Sequence, residues 1–257
     1  KTTGSDALRW FLLSSSVVSG GNVAIDTEGK EVTKAARKAL IPLWNAFYFF
    51  CLYANAEGIH ADMSSTGTEI LDTYILTKLR NLVKNVKEDL ESYNISKACE
   101  EAEVFLDILN NWYIRRSRGR FWDGTDTGAF NTLYTVLVTV CKVLAPLMPF
   151  MTEYIFKNLT GEESVHLEDY PSFDDLLNAK DLVEQMDLVR TVSSVAKALR
   201  EQHKLRNRLP LQTLTLSGEK AHTLITFKDL LKDEVNVKEV ILSDKIEEVA
   251  TSFLYLK

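Results

Sequence analysis

The sequence has none of the short motifs that build a self-contained active site. It lacks a glycine-rich phosphate loop, a GxSxG elbow around a nucleophilic serine, and a CxxC or HExxH pair for a metal ion. Its four histidines are scattered singly, which is typical of surface or packed side chains. We therefore expect no catalytic residue and no metal site in these 257 residues.

Cysteine and long apolar runs are also scarce. The three cysteines are widely separated in apolar helical sequence, which excludes a disulfide framework and indicates a reducing, cytoplasmic location. The longest nearly apolar run, at 133–150, is interrupted by Thr135, Thr139 and Lys142. It predicts a buried helix and no membrane span. Because the chain begins at Lys1 without a methionine, we expect it to be a piece of a longer protein.

Hydrophobic spacing predicts a mainly helical protein. Long helices joined by short loops are typical of an antiparallel bundle, and after it the pattern predicts a further helix that ends near Lys204. We expect a mainly α fold, with an antiparallel helical bundle followed by a small α+β subdomain. Pro42 should kink the second helix. The helices are predicted at 6–13, 32–57, 68–92, 96–122, 129–145 and 221–232, and the strands at 211–217 and 235–242. The helix at 129–145 continues past Pro146 and Pro149 into a helical piece that ends near Leu159.

The same patterns divide the chain into four segments. Positions 162–187 hold nine acidic residues and one lysine, which marks a change of composition after the bundle. We predict a connecting segment at 1–30, the helical bundle at 31–160, a crossing segment with a basic helix at 161–210, and the small α+β subdomain at 211–257.

One concentration of basic residues stands out in a chain whose formal net charge is -6. The stretch 111–122, NWYIRRSRGRFW, has four arginines among four large aromatic residues. On a helical wheel, Arg115 and Arg116 flank an apolar stripe whose centre holds Gly119, and the other two arginines lie further round. Guanidinium groups in this position need either carboxylate partners in the core or an exposed anion-binding face. The residue pattern leaves both interpretations open.

A second concentration lies at the end of the predicted helix after the bundle. Six basic residues and one acidic residue occur between positions 190 and 208, and helical spacing brings five of the cations within about 80° of one another. Charge of one sign is less usual than mixed charge on a merely soluble face. A solvated face and a phosphate-binding strip both remain open.

Several stretches resemble the isoleucyl-tRNA synthetases, a family of class I aminoacyl-tRNA synthetases. The segment at 4–18, GSDALRWFLLSSSVV, is similar to the one that follows the KMSKS loop in that family. The segment at 204–216, KLRNRLPLQTLTL, is similar to a basic segment and strand shared with the valine and leucine enzymes. The resemblance to the region after the catalytic domain rests on NWYIRRSRGRFW, LIPLWNAFYFF at 40–50, LAPLMPFMTEYIF at 144–156 and SVHLEDYP at 164–171.

This resemblance implies an all-α domain that receives the anticodon stem-loop of an isoleucine-accepting tRNA, followed by a small junction subdomain. It implies a monomeric parent enzyme that joins isoleucine to tRNA with ATP and Mg²⁺, with no membrane or DNA partner. The HIGH and KMSKS signatures are missing here, so no cofactor is expected in these residues. The predicted RNA-binding residues are Trp112, Arg115, Arg116, Arg118, Arg120 and Trp122, and a second strip of Lys197, Arg200, Lys204, Arg206 and Arg208.

Two alternatives remain open from the sequence. The chain could be the equivalent domain of a valyl- or leucyl-tRNA synthetase, because those enzymes share the bundle. It could also be a non-enzymatic helical scaffold whose basic stripe binds an acidic protein.

Overall fold

The computed structural model describes residues 4–25, 28–218 and 220–243, and the backbone of a short strand at Leu254–Leu256. The chain divides into two compact units between Ala179 and Lys180. In the described residues the first unit is helical and the second is a small α+β unit. The predicted fold class, a helical bundle followed by a small α+β part, is confirmed.

The helices of the first unit pack around a central apolar helix, α7. Its residues Leu133, Val136, Leu137 and Val140 are fully buried, and it packs on α3, α4, α6 and α8. A π-helical turn at Leu109–Ile114 joins α5 to α6. The helices are α1 (Ser5–Leu13), α2 (Lys30–Lys38), α3 (Leu40–Glu57), α4 (Ile70–Glu91), α5 (Ile95–Ile108), α6 (Arg115–Trp122), α7 (Thr127–Leu144) and α8 (Pro149–Thr160).

Two stretches of the described chain are long and apolar enough to cross a membrane by length and composition. One is α7, and the other is α2 and α3 taken together across their bend. In α7, 72% of the 18 residues of this apolar stretch are buried inside the bundle. The buried helix predicted from the apolar run is therefore present as α7, which ends at Leu144, and the end of the run lies in a turn and at the start of α8.

The kink predicted from Pro42 occurs before the proline itself. Helix α2 ends at Lys38, α3 begins at Leu40, and the two helices meet at 43°. Proline has no N–H to donate to the carbonyl four residues earlier, and its ring collides with that carbonyl. The residue four before Pro42 is Lys38, so the chain bends where this hydrogen bond cannot form.

The residues after α8 are fastened to the outside of α4. The hydroxyl of Tyr170 donates a hydrogen bond to the carbonyl oxygen of Val83 at 2.9 Å. The guanidinium of Arg80 donates to the carbonyl oxygens of Phe173 and, at 3.2 Å, of Leu176. Residues 161–179 thus belong to the helical unit, and the boundary between the units falls inside the segment 161–210 that the sequence pattern treats as one.

The second unit is built around a small sheet. It contains α9 (Lys180–Gln202), β1 (Leu211–Ser217), a 3₁₀ helix (Ala221–Phe227), α10 (Lys228–Val235), β2 (Val237–Ser243) and β3 (Leu254–Leu256). Strand β1 lies in the middle, parallel to β2 and antiparallel to β3. A parallel pair needs a crossover, which the 3₁₀ helix and α10 supply. The helix predicted at 221–232 is therefore a 3₁₀ helix followed by α10. Strand β3 is not predicted, because three residues are too few to show an alternation in the sequence.

Candidate nucleic-acid interface

The π-helical turn before the arginines changes which of them face outward. A π turn closes its hydrogen bonds between residues five apart, so it holds one residue more than the matching α turn. All later side chains are therefore rotated by about one position, or 100°, relative to a continuous α-helix. Gly119, predicted near the centre of the apolar stripe, is exposed, and Ser117 is buried instead. The helical-wheel prediction is correct for Trp112, which is buried, and wrong for α6 for this reason.

Arg120 faces inward and joins a buried polar cluster. Its Nη1 and Nη2 atoms each lie 2.8 Å from an oxygen of the Asp72 carboxylate, which is fully buried. Its Nε lies 2.6 Å from Asp126, the residue that caps the first turn of α7. Tyr113 donates its hydroxyl to the same Asp72 carboxylate at 2.8 Å. Arg120 therefore links α4, α6 and α7, and the sequence prediction that it binds RNA does not fit this position.

The charges of this cluster stabilise one another. Burial alone would raise the pKa of Asp72, but hydrogen bonds from Arg120, Thr68 and Tyr113 and the positive charge of Arg120 outweigh it, so the pKa is lowered. For Arg120 burial acts in the opposite direction and would lower the pKa, but the hydrogen bonds with Asp72 and Asp126 raise it. Both groups are thus held in their charged forms. A bidentate pair of this kind contributes geometric specificity as well as energy.

Trp112 also lies inside the bundle. Only 5% of its surface is exposed, so its ring offers no free face on which a base could stack. The guanidinium carbon of Arg116 lies 5.6 Å from the centre of that ring, in a cation–π arrangement. Arg116 is half-buried as a result. The predicted stacking role of Trp112 does not fit this burial.

The outward side of α6 carries the remaining arginines and one large ring. Arg115 and Arg118 are exposed, and Arg115 Nε donates to the carbonyl oxygen of Asn111 at 2.8 Å. Trp122 is 70% exposed, and its ring centre lies 6.5 Å from that of Tyr53 on α3. We call Arg115, Arg118 and Trp122 the arginine face. It combines guanidinium forks with an exposed ring on one surface.

Aromatic packing beneath α6 fixes the position of this face. Phe121 is fully buried between Phe49 of α3 and Phe130 of α7, with ring centres 5.1 and 5.0 Å away. Phe49 in turn lies 4.7 Å from Tyr53, which supports Trp122. The sequence analysis does not single out Tyr53 as part of the surface. The sequence feature that could have indicated Tyr53 is the dense aromatic content of α3, considered together with Trp122.

In the second unit the predicted basic strip also separates into inner and outer residues. Lys197 is half-buried and forms an ion pair with Glu234. Arg200 is fully buried, because the inward side of α9 runs through Val189, Ser193, Ala196 and Arg200. The predicted RNA contact of Arg200 does not fit its burial.

The other three predicted cations remain on the surface after the end of α9. Lys204, Arg206 and Arg208 are all exposed. A cleft of about 670 Å³ opens beside Lys204 and Arg206, and its lining mixes cations with neutral polar groups, one acid and two apolar residues. We call these three residues the basic turn. The cleft is lined by Ser194, Lys197, Ala198, Glu201, Lys204, Leu205, Arg206 and Asn207.

Comparison with known proteins identifies the class. Residues 72–215 match the family described as the anticodon-binding domain of tRNA ligase. This range covers more than half of the chain, and the chain belongs to that family.

Individual relatives point to one member of this class. The chain is 47% identical over 250 residues to the isoleucine–tRNA ligase of Corynebacterium efficiens, and the match covers 96% of this chain and 23% of that protein. It is 50% identical over 244 residues to the isoleucine–tRNA ligase of Leifsonia xyli subsp. xyli, and this match covers 93% of this chain and 22% of that protein. The resemblance predicted from the sequence is confirmed. The chain spans less than a quarter of the length of these curated relatives.

A solved structure is also similar to this chain. It is the ternary complex of Agrobacterium radiobacter K84 LeuRS with tRNA and LeuAMS. The match has a TM-score of 0.49 and 16% identity, and covers 70% of this chain and 20% of that one.

Proposed function

We propose that this chain is the tRNA-binding part of an isoleucine–tRNA ligase and that its arginine face binds the anticodon stem and loop. The observation that carries the proposal is the exposed combination of Arg115, Arg118 and Trp122. Proteins that recognise RNA loops stack unpaired bases on aromatic rings or guanidinium planes and hold the flanking stem through its phosphates. The arginine face offers both kinds of group.

The basic turn supports the same proposal in the second unit. Lys204, Arg206 and Arg208 are exposed cations, and the first two line the cleft. Such groups bind the sugar–phosphate backbone without reading its sequence. We propose that they contact tRNA phosphates. Lys197 can contribute from the wall of the cleft only if its ion pair with Glu234 is exchanged.

The curated relatives suggest what the longer protein does, because this chain matches less than a quarter of each isoleucine–tRNA ligase. We propose that it is a cytoplasmic, monomeric enzyme that joins isoleucine to tRNA with ATP and Mg²⁺, and that this reaction takes place outside these residues. The identities of 47% and 50% to isoleucine–tRNA ligases support this proposal over a valine or leucine enzyme.

The test removes charge and stacking from the arginine face separately. We expect an Arg115→Gln/Arg118→Gln variant to bind an isoleucine tRNA transcript more weakly, and the slope of log affinity against log salt to flatten by about 0.7 to 0.9 for each phosphate that the variant no longer neutralises. Trp122→Ala should lose affinity by about 1 to 3 kcal/mol without a change of slope, because stacking releases no counterions. Fluorescence titrations across salt concentrations measure both quantities.

The control removes two exposed cations from another part of the same unit. Asp72 is the residue of α4 that binds Arg120 of α6. Lys84 and Lys87 lie on α4 at least 12 residues from Asp72, or about 18 Å along the helix. A Lys84→Gln/Lys87→Gln variant should bind as the unmodified chain does. Equal affinity and slope for the folded arginine variant would contradict the proposal. Tighter binding of a valine or leucine tRNA transcript would instead favour one of those enzymes.

A further inference from the structure

A buried arginine lies beneath the basic turn. Arg200 has no exposed surface, and it forms no ion pair with a carboxylate of the described residues. Its guanidinium instead donates hydrogen bonds to four backbone carbonyl oxygens. Nη1 donates to Val235 at 3.1 Å. Nη2 donates its two N–H groups to Arg206 at 2.8 Å and to Leu209, and one of them is shared with Asn207 at 3.4 Å.

The side chain at this position has to be an arginine to make these contacts. A guanidinium is a rigid planar fork with five N–H donors, whereas a lysine ammonium is a compact point charge with three. Burial lowers the pKa of Arg200, because the charged form has left water with only neutral partners. Such burial costs stability unless hydrogen bonds offset it. The four carbonyl oxygens supply hydrogen bonds to Nη1 and Nη2, whereas the buried Nε has no partner among the described residues. In return Arg200 fixes where the four carbonyl oxygens point.

The backbone of the basic turn has the shape that these contacts require. Lys204 adopts a left-handed conformation with φ of 57°, and the N–H of Leu205 donates to the carbonyl oxygen of Arg200 at 2.7 Å. The N–H of Leu209 then donates to the carbonyl oxygen of Arg206 at 2.9 Å, which closes a tight turn. The Arg206, Asn207 and Leu209 carbonyl oxygens point inward to Arg200, while the side chains of Lys204, Arg206 and Arg208 are exposed.

We infer that Arg200 is a positioning residue: it holds the basic turn in one conformation, so that Lys204, Arg206 and Arg208 form a preassembled site for RNA phosphates. Arg200 itself does not touch the RNA. A rigid site binds more tightly than a mobile one because binding restricts less conformational freedom. This inference rests on the proposed function, since it assigns a role in the same tRNA binding.

The test exchanges Arg200 for lysine in the whole chain, because Arg200→Lys keeps the charge and removes the fork. We expect its affinity for an isoleucine tRNA transcript to fall about three- to tenfold. The matched control is Arg190→Lys, the same exchange on the same helix, where the native arginine is half-buried and paired with Asp187. It should change the affinity less than twofold.

A double-mutant cycle separates positioning from general stability. In the unmodified chain, Lys204→Gln/Arg206→Gln/Arg208→Gln should weaken binding and flatten the salt slope. In the Arg200→Lys background the same triple change should cost clearly less affinity, because the three cations are no longer held in place. A loss of stability that leaves the turn intact would give additive effects instead. Hydrogen exchange at the Leu205 and Leu209 amides should also accelerate without RNA present.

Three results would overturn the inference. The first is unchanged affinity of Arg200→Lys while the triple variant binds weakly, and the second is additive effects in the cycle. The third is full affinity of the triple variant, which would leave the proposed function intact if the Arg115/Arg118 variant still binds weakly. Failure of both cationic surfaces to matter would instead contradict the proposed function.

A second variant covers the case in which Arg200→Lys does not fold. Asn236 donates its side-chain amide to the carbonyl oxygen of Asn207 at 3.0 Å and has φ of 56°, so Asn236→Gly loosens the same turn without backbone strain. We expect this variant to lose affinity about two- to fivefold. Full affinity in a chain whose turn amides exchange faster would show that a fixed turn is not needed, and the inference would be wrong.

Discussion

Arginines only two positions apart in this chain have different physical roles. Arg118 is exposed on the arginine face, whereas Arg120 is the cation that neutralises the buried Asp72. Removing one partner of a buried ion pair leaves the other charge without compensation, which typically costs about 3–5 kcal/mol. We expect Arg120→Ala to lower the free energy of unfolding by this amount, measured by urea denaturation.

The neighbouring substitution is the comparison for this prediction. Arg118→Ala should change the free energy of unfolding by less than about 0.5 kcal/mol, as surface substitutions usually do, while weakening RNA binding. Similar stabilities for the two variants would mean that the cluster around Asp72 does not hold the bundle together.

The same cluster makes the stability of the bundle depend on pH. The pKa of Asp72 in the folded chain is lowered from its ordinary value of 3.8, so the unfolded chain binds a proton first as the pH falls. The stabilisation is complete above the ordinary pKa and is lost as the pH drops through the folded value. We expect the stability difference between the unmodified chain and Asp72→Asn to shrink below about pH 4. Denaturation at a series of pH values measures it, and a constant difference would contradict the assignment.

At the scale of elements, the π-helical turn decides the orientation of α6. Gly119 lies in the helix with open space where a Cβ would be, so it contributes flexibility without a steric need for glycine. We expect Gly119→Ala to stabilise the chain by about 0.5–1 kcal/mol, measured by thermal or urea unfolding.

Gly124 provides the contrasting control two residues after α6. Its φ is +62°, and a Cβ there would lie 2.5 Å from Glu57 Oε2. Gly124→Ala should therefore destabilise the chain by about 1–2 kcal/mol. Destabilisation by Gly119→Ala as well would mean that the segment does not continue as the α-helix described.

The sequence predicts the helices better than it predicts this orientation. Apolar spacing locates α4 and α5 because each buries one side, and the nearly apolar run locates α7, which is buried on almost all sides. Strand β1 has the predicted bounds, 211–217. The π turn has no such signal, because it inserts a residue without changing the helical character of the sequence. The roles of Arg118 and Arg120 therefore could not be separated before the structure.

At the scale of the whole molecule, the positive charge is local. The chain has a formal net charge of -6, which repels a polyanion at long range. The RNA binding that we propose then depends on the arginine face in one unit and the basic turn in the other. The sequence located both stretches, but it could not show that Arg200 is buried, because helical spacing alone puts that residue with the other cations of α9.

The segment 161–179, which packs on the outside of α4, sets where the helical bundle can be cut from this chain. A fragment that stopped at Thr160, where α8 ends, would remove the carbonyl acceptors of Arg80 and the ring that lies 5.2 Å from its guanidinium. That cation would then lose these partners, and the carbonyl oxygen of Val83 would lose the hydrogen bond from the Tyr170 hydroxyl. An excised bundle intended for crystallography or NMR should therefore run through Ala179.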